Sequence, residues 1–148
     1  MSDIRQRRIE NDVSRLGEWA GSRRGILVWR RGDEVRVTLQ ARGLGWSEKD
    51  GVCVLDEHSF LIYLHRDYPR LPPKVTCLGR TFHPNMLPED QGGAVCLGPW
   101  MPSGSLIGIV EYLENLVTYR AYNVGDPLNE RCAFWLRTND PLQFMERN

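Results

Sequence analysis

Cys96 lies eleven positions beyond the end of a His83-Pro84-Asn85 triplet, with Gly92 and Gly93 between them. The thiolate is the best side-chain nucleophile near neutral pH. A thiol just past a glycine-containing loop can be approached by a large partner, which a cysteine in mid-strand cannot. Cys96 is therefore the candidate nucleophile, and covalent catalysis is the chemistry it would carry. A cysteine with a histidine nearby also suggests a protease dyad. That arrangement needs a third group to orient the imidazole, and no residue in the sequence is placed for it.

The other three cysteines, Cys53, Cys77 and Cys132, fall in apolar strand or helix segments and read as buried small hydrophobes. The four are widely spaced, without a C-x-x-C or a neighbouring histidine pair, which argues against zinc or any other metal site. The N-terminus is polar and charged, with no apolar signal core, so reduced thiols in a cytoplasmic setting are expected. No apolar run approaches the roughly 18 residues of a membrane span.

Formal net charge is zero over 148 residues, so no global field draws the chain to nucleic acid or membrane. Nor is there a basic stripe with interleaved aromatics. The charge is uneven, however: residues 1–31 hold eight arginines against four acids. Basic residues overall are 17 arginines against only Lys49 and Lys74, a bias that reads as GC-rich coding, as in a bacterial genome.

The elements that must position Cys96 follow from periodicity. The length suits a single domain spanning 1–148. Ser2 or Asp3 can cap a first helix running to about Trp19, whose apolar stripe is Ile9, Val13, Leu16 and Ala20. Arg5, Arg8 and Arg15 lie near its start or on its flank. Ile26 to Trp29 reads as a short strand. Val35, Val37, Leu39 and Ala41 alternate with polar residues, as do Phe60, Ile62 and Leu64, the period of half-buried strands. Lys74 to Leu78 is a fourth strand, so a four-stranded antiparallel meander is expected. Phe82 to Gly104 reads as loop. A central core helix from Ser105 to about Tyr119 presents Leu106, Ile109, Val110, Leu113, Leu116 and Val117. A short helix over Asn129 to Arg137 follows. Trp29, Trp46 and Trp135 read as core or core edge. Strands first and helices after define an α+β domain.

Five pieces in order, Tyr68-Pro-x-x-Pro-Pro-Lys-Val75, His83-Pro-Asn85, Cys96-Leu97, Trp100-x-Pro102 and Asp126-Pro-Leu128, resemble those of ubiquitin-conjugating enzymes. The similarity runs over roughly residues 3 to 137 and implies that family's fold. It also implies a carrier reaction without a cofactor. An ATP-dependent activating enzyme hands the C-terminus of a ubiquitin-like protein to Cys96 as a thioester, and an amine, usually a lysine of a target protein, attacks it. A ligase is a further partner. The resemblance assigns Asn85 to the oxyanion of the tetrahedral intermediate and Asp126 to orienting and neutralising the lysine. His83, Pro84 and Trp100 become structural residues of the active-site loops, with Tyr68 beside them. The first-helix arginines Arg5, Arg8 and Arg15 would dock the activating enzyme by charge steering.

The sequence departs from that pattern in four respects. Asn85 and Cys96 are further apart than is usual, and Cys96 and Trp100 are closer. Arg70 stands where many eukaryotic members carry a phenylalanine that contacts ligases. Asn139-Asp140-Pro141 interrupts the chain where a last long helix would run, so a C-terminally shortened version of the fold is expected. By analogy these features suggest a divergent bacterial member of a ubiquitin-like conjugation system, some of which act against phage. A non-catalytic variant that binds a ubiquitin-like protein is the alternative.

Overall fold

The computed structural model describes residues 3–101 and 103–148. Ser2, the alternative first cap, and Pro102, of the Trp100-x-Pro102 motif, lie outside the described residues. Helix α1 (Ile4–Gly21) is capped by Asp3, whose carboxylate accepts from the Gln6 N–H at 2.7 Å. Four strands form an antiparallel sheet in the order β1 (Ile26–Arg31), β2 (Glu34–Leu39), β5 (His58–Tyr63), β6 (Lys74–Leu78). Its inner face, Val35, Val37, Leu39, Phe60 and Ile62, is buried. These side chains share one core with Ile9 and Leu16 of α1 and Leu106, Val110, Leu113 and Val117 of helix α2 (Leu106–Val117). Full burial of each such side chain contributes roughly 1.5–3 kcal/mol. Ser105 caps α2, accepting from the Gly108 N–H at 3.0 Å. The expected α+β architecture is present.

Between β2 and β5 the chain adds a second sheet that the periodicity did not announce, the hairpin β3 (Gly43–Ser47) and β4 (Gly51–Leu55). A Cβ at Gly43 would lie 2.6 Å from His58 Nε2 and from the Val117 carbonyl, so the hairpin roots against the main fold only through glycine. Its apolar residues join helices α3 (Glu130–Leu136) and α4 (Pro141–Arg147) in a second core of Leu44, Phe82, Tyr119, Cys132 and Met145. Two cross-links reinforce it: Arg42 donates to the Met145 carbonyl at 2.8 Å, and the Arg131 guanidinium lies 3.9 Å over the Trp46 ring. Pro141 begins α4 after an Asp140 cap, so the residue expected to break the chain opens a short helix instead.

The tryptophan expectation needs one correction. Trp29 points to the outer face of β1 and is 61% exposed, because the strand alternates with Ile26 and Val28 inward. Trp46 and Trp135 are half-buried in the second core. Cys77 and Cys132 are buried, but Cys53 is only half-buried, with Arg80 donating to its sulfur at 3.3 Å. Among the described residues no helix is long and apolar enough to cross a membrane.

Candidate active site

The extra residues between Asn85 and Cys96 do not separate the two. The chain leaves Asn85, makes a 3₁₀ turn over Glu89–Gln91, and returns to pair Met86 with Val95. Glu89 fixes the turn to the end of β6: its N–H donates to the Gly79 carbonyl, and its carboxylate accepts from the Gly79 N–H, both at 2.8 Å. Gly93 closes the excursion with φ +69°, where a Cβ would lie 2.6 Å from the Cys77 carbonyl oxygen. The result is that the Cys96 N–H donates to the Asn85 carbonyl at 3.0 Å. Cys96 is the one exposed cysteine. Burial pushes the thiols of Cys77 and Cys132 up, to about 11 and about 12, which leaves them inert near neutral pH.

Asn85 is buried, and its amide spans a gap between loops. Oδ1 accepts from the Asn123 N–H at 2.9 Å and Nδ2 donates to the Asn123 carbonyl at 2.8 Å. One Nδ2 hydrogen remains uncommitted among the described residues. Pro84 ties down the far end of the same loop, its carbonyl accepting from the N–H groups of Leu128 and Asn129. Asp126 sits exposed between these two anchors, with no hydrogen bond or ion pair to its side chain among the described residues. The triplet thus holds Cys96 on one side and the Asp126 loop on the other.

His83 is fully buried with both nitrogens engaged. Nδ1 accepts from the Asn85 N–H at 3.0 Å and Nε2 faces the Ala121 carbonyl at 3.3 Å, which defines the neutral Nε2–H tautomer. Burial lowers its pKa to about 4. It has no free lone pair with which to act as a base toward Cys96.

On the opposite side of Cys96, Trp100 donates its indole N–H to the Pro69 carbonyl at 3.0 Å and stands 6.0 Å from the Tyr68 ring. With Leu97, Gly108 and Tyr112 it lines a shallow groove of about 420 Å³ between the post-cysteine loop and α2. Partial burial, and then the charge of Cys96, raise the pKa of Tyr112.

The arginines of α1 divide. Arg5 donates to the carbonyls of Tyr68 and His65, at 2.8 and 2.6 Å. Arg8 links the Asp12 carboxylate at 2.7 Å to the Gly104 carbonyl at 2.6 Å, and Asp12 also accepts from the buried Tyr68 hydroxyl. Arg5 and Arg8 therefore staple α1 to the loops on either side of Trp100, whereas Arg15 is exposed. Arg8→Ala leaves the nearly buried Asp12 carboxylate with the tyrosine as its remaining partner. It should cost about 2 kcal/mol, below a fully buried pair because Arg8 is part-exposed. Urea unfolding checks this, and Asp12→Asn in the same chain should recover part of the loss.

Sequence reasoning did not single out Asp12, Tyr112 or Asn123. Asp12 had a signal, an acid at i+3 from Ile9 within the apolar stripe. Asn123 had none for its contact with Asn85, which uses its backbone; its side chain is spent on the turn, accepting from the Gly125 N–H at 2.7 Å. Among the described residues no group of three His, Cys, Asp or Glu side chains is placed to hold a metal.

Residues 50–148 match the family model described as ubiquitin-conjugating enzyme. The chain is 36% identical over 87 residues to the NEDD8-conjugating enzyme UBC12 of Yarrowia lipolytica, covering 56% of this chain and 46% of that protein. It is 28% identical over 131 residues to the ubiquitin-conjugating enzyme E2 T of Bos taurus, covering 81% and 62%. It spans about half the length of the UBC12 relatives from Y. lipolytica and Schizosaccharomyces pombe, at 46% and 49%. Among solved structures, S. cerevisiae Ubc12 superposes with a TM-score of 0.71 at 24% identity, over 98% of this chain and 77% of that one. The E2 domain of a Toxoplasma gondii ubiquitin conjugating enzyme gives 0.68 at 21%, over 96% and 92%. At those identities the structural likeness is one of fold. The chain belongs to the ubiquitin-conjugating enzyme family, whose members are transferases with a cysteine thioester intermediate.

Proposed function

We propose that this chain accepts the C-terminus of a ubiquitin-like protein from an activating enzyme as a thioester on Cys96 and passes it to a lysine of a target protein. The observation that carries this reading is the pairing of Cys96, exposed, with Asn85 across a loop of unusual length. That pairing favours the carrier over the non-catalytic binding variant. The groove lined by Leu97, Trp100, Gly108 and Tyr112 suits the extended tail of the modifier.

In the transfer step the neutral amine adds to the thioester carbonyl, and the remaining Asn85 Nδ2–H steadies the oxyanion. The carbon–sulfur bond then breaks, Cys96 leaves as thiolate, and the amide forms. The surplus amine proton passes by way of Asp126 to water. His83, Pro84 and Trp100 hold the loops. Docking of the activating enzyme falls to Arg7 and Arg15, both exposed on α1, since Arg5 and Arg8 are engaged within the chain. A ligase completes the partners.

We place the chain in the cytoplasm of a bacterium, in a ubiquitin-like conjugation system with an antiphage role. The relatives named above are eukaryotic, and this setting is supported by the arginine bias and the loop departures alone.

Thioester charging tests the function. Incubation with the activating enzyme, the ubiquitin-like protein, ATP and magnesium should give a band that reductant removes. Cys96→Ala should abolish it, Cys53→Ala should not, and Cys96→Ser should trap a reductant-stable oxyester. An activating enzyme that charges itself yet never loads Cys96 would overturn the reading.

A further inference from the structure

Residues 86–95, between Asn85 and Cys96, fold back along the free edge of β6. The two legs of this excursion pair with each other: the Leu87 N–H donates to the Ala94 carbonyl at 2.8 Å, and Met86 faces Val95. The returning leg also pairs with the sheet. Ala94 faces Thr76, and the Cys77 N–H donates to the Gly93 carbonyl at 2.7 Å. Cys96 is the last rung of this ladder, bonded to the Asn85 carbonyl, so the register of the returning leg decides where its thiol points.

Side chains alternate along such a ladder, so a slip of one residue moves Cys96 out of its place and puts Val95 there. One slip is open to this chain. The place of Gly93 needs a positive φ and has no room for a Cβ, which would lie 2.6 Å from the Cys77 carbonyl oxygen. Ala94 is thereby barred from it. Gly92 is a second glycine and already has φ +102°, so the turn could close one residue earlier. Glu89 stands against this. The turn over Glu89–Gln91 closes by the Gly92 N–H to the Glu89 carbonyl, at 3.1 Å, and the Gly93 N–H to the Pro88 carbonyl, at 3.0 Å. A turn one residue shorter has to be rebuilt from Glu89, which Gly79 holds at both its N–H and its carboxylate. Among the described residues, that carboxylate makes the one side-chain hydrogen bond from the excursion to the end of β6.

We propose that Glu89 is a positioning residue: by holding the turn it selects the register in which Cys96, rather than Val95, pairs with Asn85. Its purpose rests on the carrier reading, since a slipped chain presents no thiol beside Asn85. The register itself needs no thioester.

Amide hydrogen exchange of the full ¹⁵N-labelled chain, read by NMR, tests it. Removing one charge-assisted hydrogen bond at an exposed site should raise the slipped population about tenfold. In Glu89→Ala the Cys96 amide should therefore exchange about tenfold faster, because the slip hands its acceptor to Val95. The amides of Leu87 and Cys77 should keep their rates, since the slipped leg offers them the carbonyls of Gly93 and Gly92 instead. Glu89→Gln retains a side-chain oxygen for the Gly79 N–H and should restore most of the protection. Gly92→Asn is the second-site check. Asparagine tolerates positive φ, and a Cβ at Gly92 meets nothing within 4 Å, but it does not fit the place of Gly93. Added to Glu89→Ala, it should return Cys96 to the wild-type rate. An unchanged Cys96 rate in Glu89→Ala would overturn the proposal. Acceleration of Leu87 and Cys77 alongside Cys96 would do so too, showing an excursion that frays instead of slipping. So would a Gly92→Asn that restores nothing. Because no charging is involved, failure of Cys96 to load leaves this result readable, and the two readings fail separately.

Discussion

Asn85→Ala is expected to slow discharge of a charged Cys96 by roughly 100-fold, onto hydroxylamine and free lysine alike, the usual effect of deleting one oxyanion donor. The amide has two N–H groups and one carbonyl. One N–H and the carbonyl are used on Asn123, at 2.8 and 2.9 Å, so a single hydrogen is left for the intermediate. Deleting the side chain also leaves the backbone groups of Asn123 unpaired, costing about 1–3 kcal/mol each where they stay buried. That second effect loosens the loop carrying Asp126. The two effects separate by acceptor. Hydroxylamine is already neutral at pH 7 and needs no carboxylate, whereas lysine must first shed a proton. Asp126→Ala should accordingly slow lysine discharge and spare hydroxylamine. If Asn85→Ala behaved in the same way, its amide would act only by holding the loop, and the oxyanion role would be wrong. Single-turnover discharge of pre-charged protein measures both.

Acid should destabilise the fold well above the range in which carboxylates titrate. His58 and His83 are both held near a pKa of about 4, chiefly by burial, against about 6.5 unfolded. The unfolded chain thus takes up protons from pH 6.5 downward while the native chain refuses them. The stabilisation is fully present above pH 6.5 and is lost as pH falls toward 4. With two such groups the slope is about 2.7 kcal/mol per pH unit, so roughly 3–4 kcal/mol should be gone by pH 5. Urea midpoints at pH 7, 6 and 5 check this. His58 hydrogen-bonds Thr81 Oγ1 at 2.6 Å and the Leu55 carbonyl at 3.2 Å. His58→Gln should therefore be less stable at pH 7 but have about half the slope. An unchanged slope in that variant would show that other groups govern the acid limb.

Much of this was legible in the sequence where a strong period coincided with a cap. Leu106 through Val117 lie on one face behind Ser105, and α2 forms there. Glu130–Leu136 begins behind Asn129, which caps it as its residue type invites. The β3–β4 hairpin escaped notice for a physical reason. Gly43-Leu44-Gly45-Trp46 and Gly51-Val52-Cys53-Val54 are short and glycine-interrupted, so neither shows a clean alternation. Its stability comes from packing under α3 and α4, which no local pattern reports. Trp29 illustrates the converse, since Leu27 and Trp29 are as apolar as the inward-facing Ile26 and Val28. The arginines show a further limit. Exposed charge and a guanidinium turned onto Gly104 or Tyr68 read alike as letters.

The two cores meet along the His83-Pro84-Asn85 segment, and the groups proposed for the two halves of the reaction, Cys96 and Asp126, fall on different sides of that seam. Val95 and Leu97, flanking the nucleophile, pack on the sheet and α2. Tyr119 and Cys132, which bracket the loop bearing Asp126, belong to the cluster under the hairpin. Substitutions within the second cluster can therefore reshape the Asp126 side of the proposed site while leaving the packing beneath Cys96 in place. The cysteine's own bed is the main core of sheet, α1 and α2, which the second cluster does not share.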